Sequence, residues 1–222
     1  MKRIEKNKMC DDQTVNYPLQ GIKPLAPGDV NASTATAFRF KWASDSIDNL
    51  LRAGLICKSY LDIGACDGFM AMIAAKKINR DGSLVHVDAV EAHGQSFGVL
   101  TGTANLAHTN GLHIIPHCVL FENYKTDKHY DIITAFEILE HTRDPESFLG
   151  KIYDLLKFEG VLMMSIPEES GIYGMSDTNP YHYWSFTIQS VSQMLDEKLW
   201  HINSIFEVGY LIHVMAQKRV VS

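Results

Sequence analysis

Short apolar strands that alternate with helices narrow the possible folds of this chain more than any other feature. Strands are predicted at Tyr60–Ile63, Leu84–Val87, Leu112–Ile115, Asp131–Phe136 and Val161–Ile166. Helices are predicted between and after them, at Phe69–Ile78, within Gln95–Ala107, at Pro145–Leu156 with Asp144 as N-cap, and at Thr187–Leu195. Strands that are separated by helices form a parallel sheet with both faces covered.

Two further strands close the chain. His201–Phe206 and Tyr210–Ala216 are joined by a tight turn near Gly209, so they must be antiparallel. The sequence therefore predicts an α/β fold with a doubly wound, mostly parallel sheet of seven strands and a C-terminal antiparallel strand pair.

The first 40 residues differ from the rest, because prolines interrupt them and no strand or helix period is sustained. We expect residues 1–40 to form an irregular arm or lid and residues 41–222 to form the domain. The end of this arm, Phe38–Trp42, carries too much aromatic surface to stay in water, so it should dock on the domain or over a ligand. A helix that is capped by Ser44 or Asp45 should follow and run to about Ala53.

Charge and hydropathy exclude several classes of protein. The 222 residues include 20 Lys and Arg against 26 Asp and Glu, a formal net charge of −6, which disfavours nucleic acid and anionic membrane as partners. Apolar stretches such as Val161–Ile166 are far shorter than the ~20 residues that span a bilayer. The charged N-terminus lacks the apolar core of a secretion signal. We expect a cytoplasmic protein.

The connection between the first strand and its helix is the most informative segment. Gly64 permits a tight turn after Ile63, and Gly68 lets the backbone approach a ligand or the sheet. Ligands of open α/β sheets bind at the carboxyl ends of the strands, where this loop lies. A second strand is predicted to end at Asp88, whose carboxylate could accept hydrogen bonds from both hydroxyls of a ribose, and Glu91 follows closely. A nucleoside cofactor is predicted.

The segment Leu61-Asp62-Ile63-Gly64-Ala65-Cys66-Asp67-Gly68 resembles motif I of the class I S-adenosylmethionine-dependent methyltransferases, hydrophobic-Asp-hydrophobic-Gly-x-Gly-x-Gly. Asp62, Gly64 and Gly68 match the motif, and Ala65-Cys66 lacks its central glycine. A second segment, residues 131–145, resembles the fourth-strand motif of the small-molecule members, which ends in E-hydrophobic-L-E-H-x2-D-P. The resemblance covers residues 58–200 and implies a Rossmann-like fold with S-adenosyl-L-methionine as cofactor.

The resemblance also implies roles for individual residues. The backbone of Gly64, Ala65 and Gly68 would hold the methionine part of the cofactor, and Asp62 and Asp67 would lie near its ammonium group. Either Asp88 or Glu91 would bind the ribose, with Asp88 preferred. Cys118 and Val119 occupy the position where relatives often have an acid near the adenine, so that contact would be lost or made by backbone. Phe136 and Glu137 would line the floor near the sulfonium.

Two histidines are candidate catalytic bases for an acceptor that must lose a proton. His141 follows the fourth strand at the ligand end of the sheet. His182 opens a segment similar to one that lies near the acceptor pocket in related enzymes. The alternative for each is a structural role, His141 capping a turn and His182 lying in a surface loop.

Glu137, Glu140, His141 and His182 also resemble the divalent-metal pattern of small-RNA 3′-terminal 2′-O-methyltransferases. The same motif occurs in relatives without a metal, so we expect none. The leading prediction is a methyltransferase that acts on an oxygen of a small-molecule acceptor. The alternatives are a metal-dependent RNA or nucleotide 2′-O-methyltransferase and a fold relative that binds S-adenosylmethionine without catalysis.

Overall fold

The computed structural model describes residues 2–3, 34–79, 85–168, 181–195 and 199–219. Within these ranges no helix combines the length and the apolar character that crossing a membrane requires.

A seven-stranded sheet forms the centre of the fold. Its strands are β2 (Ser59–Ile63), β3 (His86–Glu91), β4 (Ile114–Cys118), β5 (Tyr130–Phe136), β6 (Leu156–Pro167), β8 (Trp200–Val208) and β9 (Leu211–Lys218), in the order β4-β3-β2-β5-β6-β9-β8. Strands β2 to β6 are parallel, and β9 is antiparallel to both β6 and β8. The predicted architecture is confirmed. Outside this sheet, β1 (Lys2–Arg3) pairs with β7 (Trp184–Ser185).

Helices cover both faces of the sheet. They are α1 (Thr34–Arg52), α2 (Phe69–Ile78), α3 (Gly94–Thr109), α4 (Pro145–Leu155) and α5 (Ile188–Met194). One core cluster joins α4 and α5 to one face, and a second joins α1, α2 and α3 to the other. Both ends of α2 fall where the sequence placed them, and α4 has the predicted cap, because the Asp144 side chain accepts a hydrogen bond of 3.0 Å from the Ser147 amide.

Helix α1 begins at least eleven residues earlier than the sequence suggested. It starts at Thr34, so residues 34–40 are helical and not part of an irregular arm. Ser44 and Asp45, the proposed caps, lie inside the helix. The aromatic residues of this segment pack against the ends of β5 and β9. The expectation that they dock on the domain is therefore correct, but they do so as a helix. Residues 4–33 lie outside the described residues.

The chain order reverses between β2 and β5. Strands β3 and β4 extend the sheet to one side of β2, whereas β5 and β6 extend it to the other. Open α/β sheets usually bind their ligands in the crevice at such a reversal, between the loops at the carboxyl ends of the two strands, here β2 and β5. The candidate residues gather around this crevice.

Candidate active site

The loop from β2 to α2 has an unusual backbone conformation. Gly64, Cys66 and Gly68 all have positive φ angles, of 71°, 50° and 78°. A Cβ atom on Gly64 would lie 2.1 Å from Cδ1 of Ile138, so a larger residue would not fit there without a shift. Cys66 stands where motif I usually has its central glycine and adopts the left-handed conformation that glycine favours. The loop therefore has a glycine-like conformation at Cys66 although this residue is not glycine.

Hydrogen bonds hold this loop against the end of β3. The amides of Gly64 and Ala65 both donate to the carbonyl of Val90, at 2.9 and 3.0 Å. The amide of Cys66 donates to Oε2 of Glu91 at 2.8 Å. The Glu91 carboxylate thus lies directly beside the glycine loop.

The structure separates the two acids that are candidates for the ribose. Strand β3 does not end at Asp88 but continues to Glu91. Asp88 is 0% exposed in the middle of the strand, where its carboxylate accepts hydrogen bonds from Lys128, His117 and Tyr130. The Asp88 carboxylate therefore makes its hydrogen bonds within the protein. Glu91, the alternative, lies at the carboxyl end of the strand.

The segment predicted near the adenine also lies at this end of the sheet. Cys118 is the last residue of β4, and its side chain is exposed. The amide of Val119 donates to the carbonyl of Glu91 at 3.2 Å. The two residues therefore adjoin Glu91, and Val119 meets it through backbone atoms.

Asp62 is a buried acid with one carboxylate oxygen left over. Its Oδ1 accepts a hydrogen bond of 2.7 Å from Thr134, whereas Oδ2 has no hydrogen-bond partner among the described residues. Burial raises the pKa of Asp62 to about 7, although the hydrogen bond from Thr134 and the nearby backbone amide of Ala71 partly oppose this. Such a group would gain from a cationic ligand that contacted Oδ2. The neighbouring acid Asp67 instead accepts a hydrogen bond of 3.0 Å from the Phe69 amide at the start of α2.

Helix α1 meets the end of β5 through an ion pair that sequence reasoning missed. Arg39 binds the carboxylate of Glu137, and its guanidinium lies 5.5 Å from the ring centre of Phe136. Glu137 has a φ of 53°, and its amide donates to the carbonyl of Ser165 at 2.8 Å. The predicted floor residues are therefore covered by α1. The only signal for Arg39 was its place within the aromatic segment Phe38–Trp42.

The two candidate histidines lie next to each other. The rings of His141 and His182 are 4.9 Å apart, and Nδ1 of His141 lies 2.9 Å from the carbonyl oxygen of Tyr181. With Nδ1–H as the donor, Nε2 carries the lone pair of the neutral ring. Nε2 is 3.8 Å from Oε1 of the buried Glu140. Sequence alone could not establish this proximity, because about 40 residues separate the two histidines.

Ligand atoms of Glu140, His141 and His182 all lie within 4.8 Å of one another, a spacing that could hold a metal ion. Glu137, the fourth residue of the pattern noted in the sequence, is engaged by Arg39.

A family comparison agrees with this arrangement. Residues 35–203 match the family model described as a methyltransferase domain. The chain belongs to the methyltransferase domain family. The match covers more than half of the chain, includes every candidate residue, and confirms the resemblance to class I S-adenosylmethionine-dependent methyltransferases.

Sequence relatives of this methyltransferase domain are distant. It is 26% identical over 155 residues to the ubiquinone biosynthesis O-methyltransferase of Rhodopseudomonas palustris strain BisB5, covering 67% of this chain and 52% of that protein. The corresponding protein of strain HaA2 matches with the same identity over 159 residues. The chain thus spans about half the length of the curated relatives it matches.

Solved structures of methyltransferases share the fold. An S-adenosylmethionine-dependent methyltransferase from Clostridium acetobutylicum ATCC 824 superimposes with a TM-score of 0.66 at 13% identity, covering 82% of this chain and 92% of that one. The magnesium protoporphyrin IX methyltransferase of Synechocystis PCC 6803, with bound S-adenosylhomocysteine, gives a TM-score of 0.63 at 11% identity, covering 83% and 85%. At these identities the likeness establishes the fold of the methyltransferase domain.

Proposed function

We propose that this protein transfers a methyl group from S-adenosylmethionine to an oxygen of a small-molecule acceptor. The observation that carries the proposal is the pair of carboxylates, Asp62 and Glu91, on either side of the glycine loop after β2. An oxygen acceptor is supported by the two relatives, which are named as O-methyltransferases, and a small molecule by the net charge of −6. S-adenosylmethionine supplies a methyl group on a positively charged sulfur.

Two ends of the cofactor have complementary groups in the crevice. Glu91, at the end of β3, has the position and charge to accept hydrogen bonds from the ribose hydroxyls. Oδ2 of Asp62 is a buried acceptor that lacks a partner among the described residues, so it suits the ammonium group. The backbone of Gly64, Ala65 and Gly68 would run along the chain between these ends, and Val119 would lie beside the adenine.

The protein's main contribution to methyl transfer is alignment and exclusion of water. Holding two reactants in line can lower the barrier by ~7–11 kcal/mol. Here the ion pair between Arg39 and Glu137 closes the site from the α1 side, and the buried ring of Phe136 forms the floor beneath it. We propose that these three residues keep solvent from the reacting atoms.

A hydroxyl acceptor must also lose its proton. His141 is the proposed base, because its Nδ1–H is directed to the Tyr181 carbonyl and its Nε2 is therefore the basic nitrogen. Glu140, at 3.8 Å, would stabilise the ring after it has accepted the proton. His182 packs against this ring and would fix its orientation.

Two measurements test the proposal in sequence. Isothermal titration with S-adenosylhomocysteine should give micromolar affinity, and absence of binding would refute the proposal. Release of labelled methyl groups from S-adenosylmethionine should then be followed with a panel of hydroxyl, amine and thiol acceptors. Binding without transfer to any acceptor would instead favour the fold relative that binds the cofactor without catalysis.

Asp62→Asn is expected to weaken cofactor binding at pH 8 by about tenfold and to raise the melting temperature. The pKa of Asp62 is about 7 in the folded protein against an ordinary value of 3.8, so its ionisation lowers stability progressively as the pH rises from about 4 to 7. Asparagine cannot ionise, so the variant's gain in stability should be full above pH 7 and shrink towards pH 4. Calorimetry across this range measures both effects. The exposed Asp45→Asn is the matched control, and equal cofactor affinity in the Asp62 variant would contradict the assignment.

A second candidate function, metal-assisted transfer to a ribose 2′-hydroxyl, is favoured by one observation. The cluster of Glu140, His141 and His182 offers two imidazoles and a carboxylate, a ligand set that suits several divalent metals. Under the leading proposal, excess chelator should leave turnover unchanged. Loss of turnover that Mn²⁺ restores, but that an inert salt of equal ionic strength does not, would replace it with the metal-assisted reaction.

A further inference from the structure

Two buried polar atoms beneath α1 have no hydrogen-bond partner among the described residues. They are Oγ of Ser165 on β6 and Nε2 of His213 on β9, and both residues are 0% exposed. Leaving a buried polar group unsatisfied costs roughly 1–3 kcal/mol, so native proteins generally supply a partner. Neither residue has a role in the function proposed above.

Strand register places these two residues side by side at the ligand end of the sheet. Phe136 of β5 pairs with Ser165, and Ser165 pairs with His213. Directly paired residues on neighbouring strands project to the same face, so the three form one row. Because Phe136 is the last residue of β5 and adjoins Glu137, the row begins at the proposed reaction site and extends sideways from it.

Flat aromatic surfaces enclose the histidine. The ring of Phe206 stacks on that of His213 with centres 5.3 Å apart and planes inclined by 9°. Phe38 and Trp42 of α1 each approach His213 edge-on, at 5.3 Å between ring centres. The rings around His213 are apolar and planar. The polar atoms of the row are therefore Nε2 of His213 and the hydroxyl of Ser165.

The chemistry of the histidine specifies what it can bind. Its Nδ1 lies 3.1 Å from the carbonyl oxygen of Leu211, so Nδ1 carries the proton and Nε2 is the acceptor. Burial lowers the pKa of His213 to about 4, with a smaller contribution from the charge of Arg39, so the ring is neutral at physiological pH. A neutral acceptor requires a donor such as a hydroxyl, and the Ser165 hydroxyl can both donate and accept.

We propose that Ser165 and His213 form a subsite that binds a hydroxyl of the methyl acceptor and orients its ring, so that the acceptor is a phenol. This inference rests on the proposed function. This hydroxyl, which is not the one that is methylated, donates to Nε2 of His213 and exchanges a second hydrogen bond with Ser165. Because both residues are fully buried, the aromatic side chains of α1 must move aside to admit the planar ring. His213 is a positioning residue in this arrangement, and His141 remains the base.

The test uses the full chain, labelled with ¹⁵N-histidine and saturated with S-adenosylhomocysteine. The probe is 2-naphthol, and 2-methoxynaphthalene is the matched probe that has the same ring but no hydroxyl. We expect 2-naphthol to bind about tenfold more tightly than the methoxy compound and to shift the Nε2 resonance of His213. That resonance is assigned by its disappearance in His213→Gln.

Ser165→Ala provides a second readout that a purely structural role would not produce. It should reduce the tenfold preference for naphthol to less than threefold while leaving the affinities for methoxynaphthalene and S-adenosylhomocysteine unchanged. Ser204→Ala, on the neighbouring strand β8, is the control and should keep the full preference. If His213→Gln does not fold, the wild-type resonance can still be assigned by elimination among the other histidine variants.

Equal affinity for the two naphthalenes, or an unmoved His213 resonance, would overturn the subsite even if S-adenosylhomocysteine binds normally. Failure of S-adenosylhomocysteine to bind would overturn the proposed function and the subsite together. The two failures are therefore distinguishable.

Discussion

Glu91→Ala is expected to weaken the binding of S-adenosylhomocysteine by about 100-fold and to lower the melting temperature modestly. Hydrogen bonds from two ribose hydroxyls to a carboxylate are charge-assisted, and their loss corresponds to roughly 3 kcal/mol. The variant also removes the acceptor of the Cys66 and His93 amides, at 2.8 and 2.7 Å, so the glycine loop is held less firmly. Isothermal titration measures the affinity, and thermal unfolding without ligand measures the stability.

A nucleoside fragment separates the contribution of Glu91 from that of Asp62. 5′-Methylthioadenosine contains the adenine and the ribose but has no ammonium group. Glu91→Ala should weaken its binding about as much as that of S-adenosylhomocysteine, whereas Asp62→Asn should leave it unchanged. Affinity within threefold of wild type in Glu91→Ala would contradict the ribose assignment, and Glu91→Gln should show an intermediate loss because the amide oxygen still accepts.

The choice of Glu91 over Asp88 as the proposed ribose acid could not be made from the sequence alone. The alternation of strands and helices and the motif after β2 predicted the sheet, its antiparallel end and the glycine loop. The end of β3 was not predictable, because Asp88-Ala89-Val90-Glu91 offers two acids with apolar neighbours. Burial of Asp88 depends on Lys128, His117 and Tyr130, which lie 29 to 42 residues away along the chain. No local pattern identifies such partners.

The residues on the side of the site where the methyl acceptor is proposed to bind were even less predictable from the sequence. Arg39 is one cation in a segment without a clear period, and its partner Glu137 lies 98 residues away. Ser165 and His213 become neighbours only through the register of β6 and β9, and no sequence motif distinguishes His213 from the chain's other histidines. By contrast, His141 and His182 were recognisable because each belongs to a family motif. Contacts within motifs are therefore visible in the sequence, whereas contacts between them require the fold.

Asp88→Ala is expected to lower the free energy of unfolding by about 3 kcal/mol at pH 7, and Asp88→Asn by less. The carboxylate is fully buried and accepts from His117 at 2.8 Å, from Lys128 at 2.9 Å and from Tyr130 at 3.1 Å. Removing one partner of a buried polar network leaves the others unsatisfied and typically costs ~3–5 kcal/mol. The lower end applies because the Lys128 side chain is 45% exposed and can turn towards water.

The pH dependence and the cofactor affinity complete this prediction. Burial raises the pKa of Asp88, but the hydrogen bonds from His117 and Lys128 outweigh it and lower the value overall. Its stabilising effect is therefore present above pH 4 and is lost as the pH falls below 4, so wild type and Asp88→Asn should converge in acid. Urea unfolding at several pH values measures this convergence.

The folded fraction of Asp88→Asn should bind S-adenosylhomocysteine within a few-fold of wild type. A 100-fold loss of affinity in Asp88→Asn, with unchanged stability, would instead assign ribose binding to Asp88. Loss of the Asp88 carboxylate is expected to lower mainly the stability, whereas loss of the Glu91 carboxylate is expected to lower mainly the affinity for the cofactor.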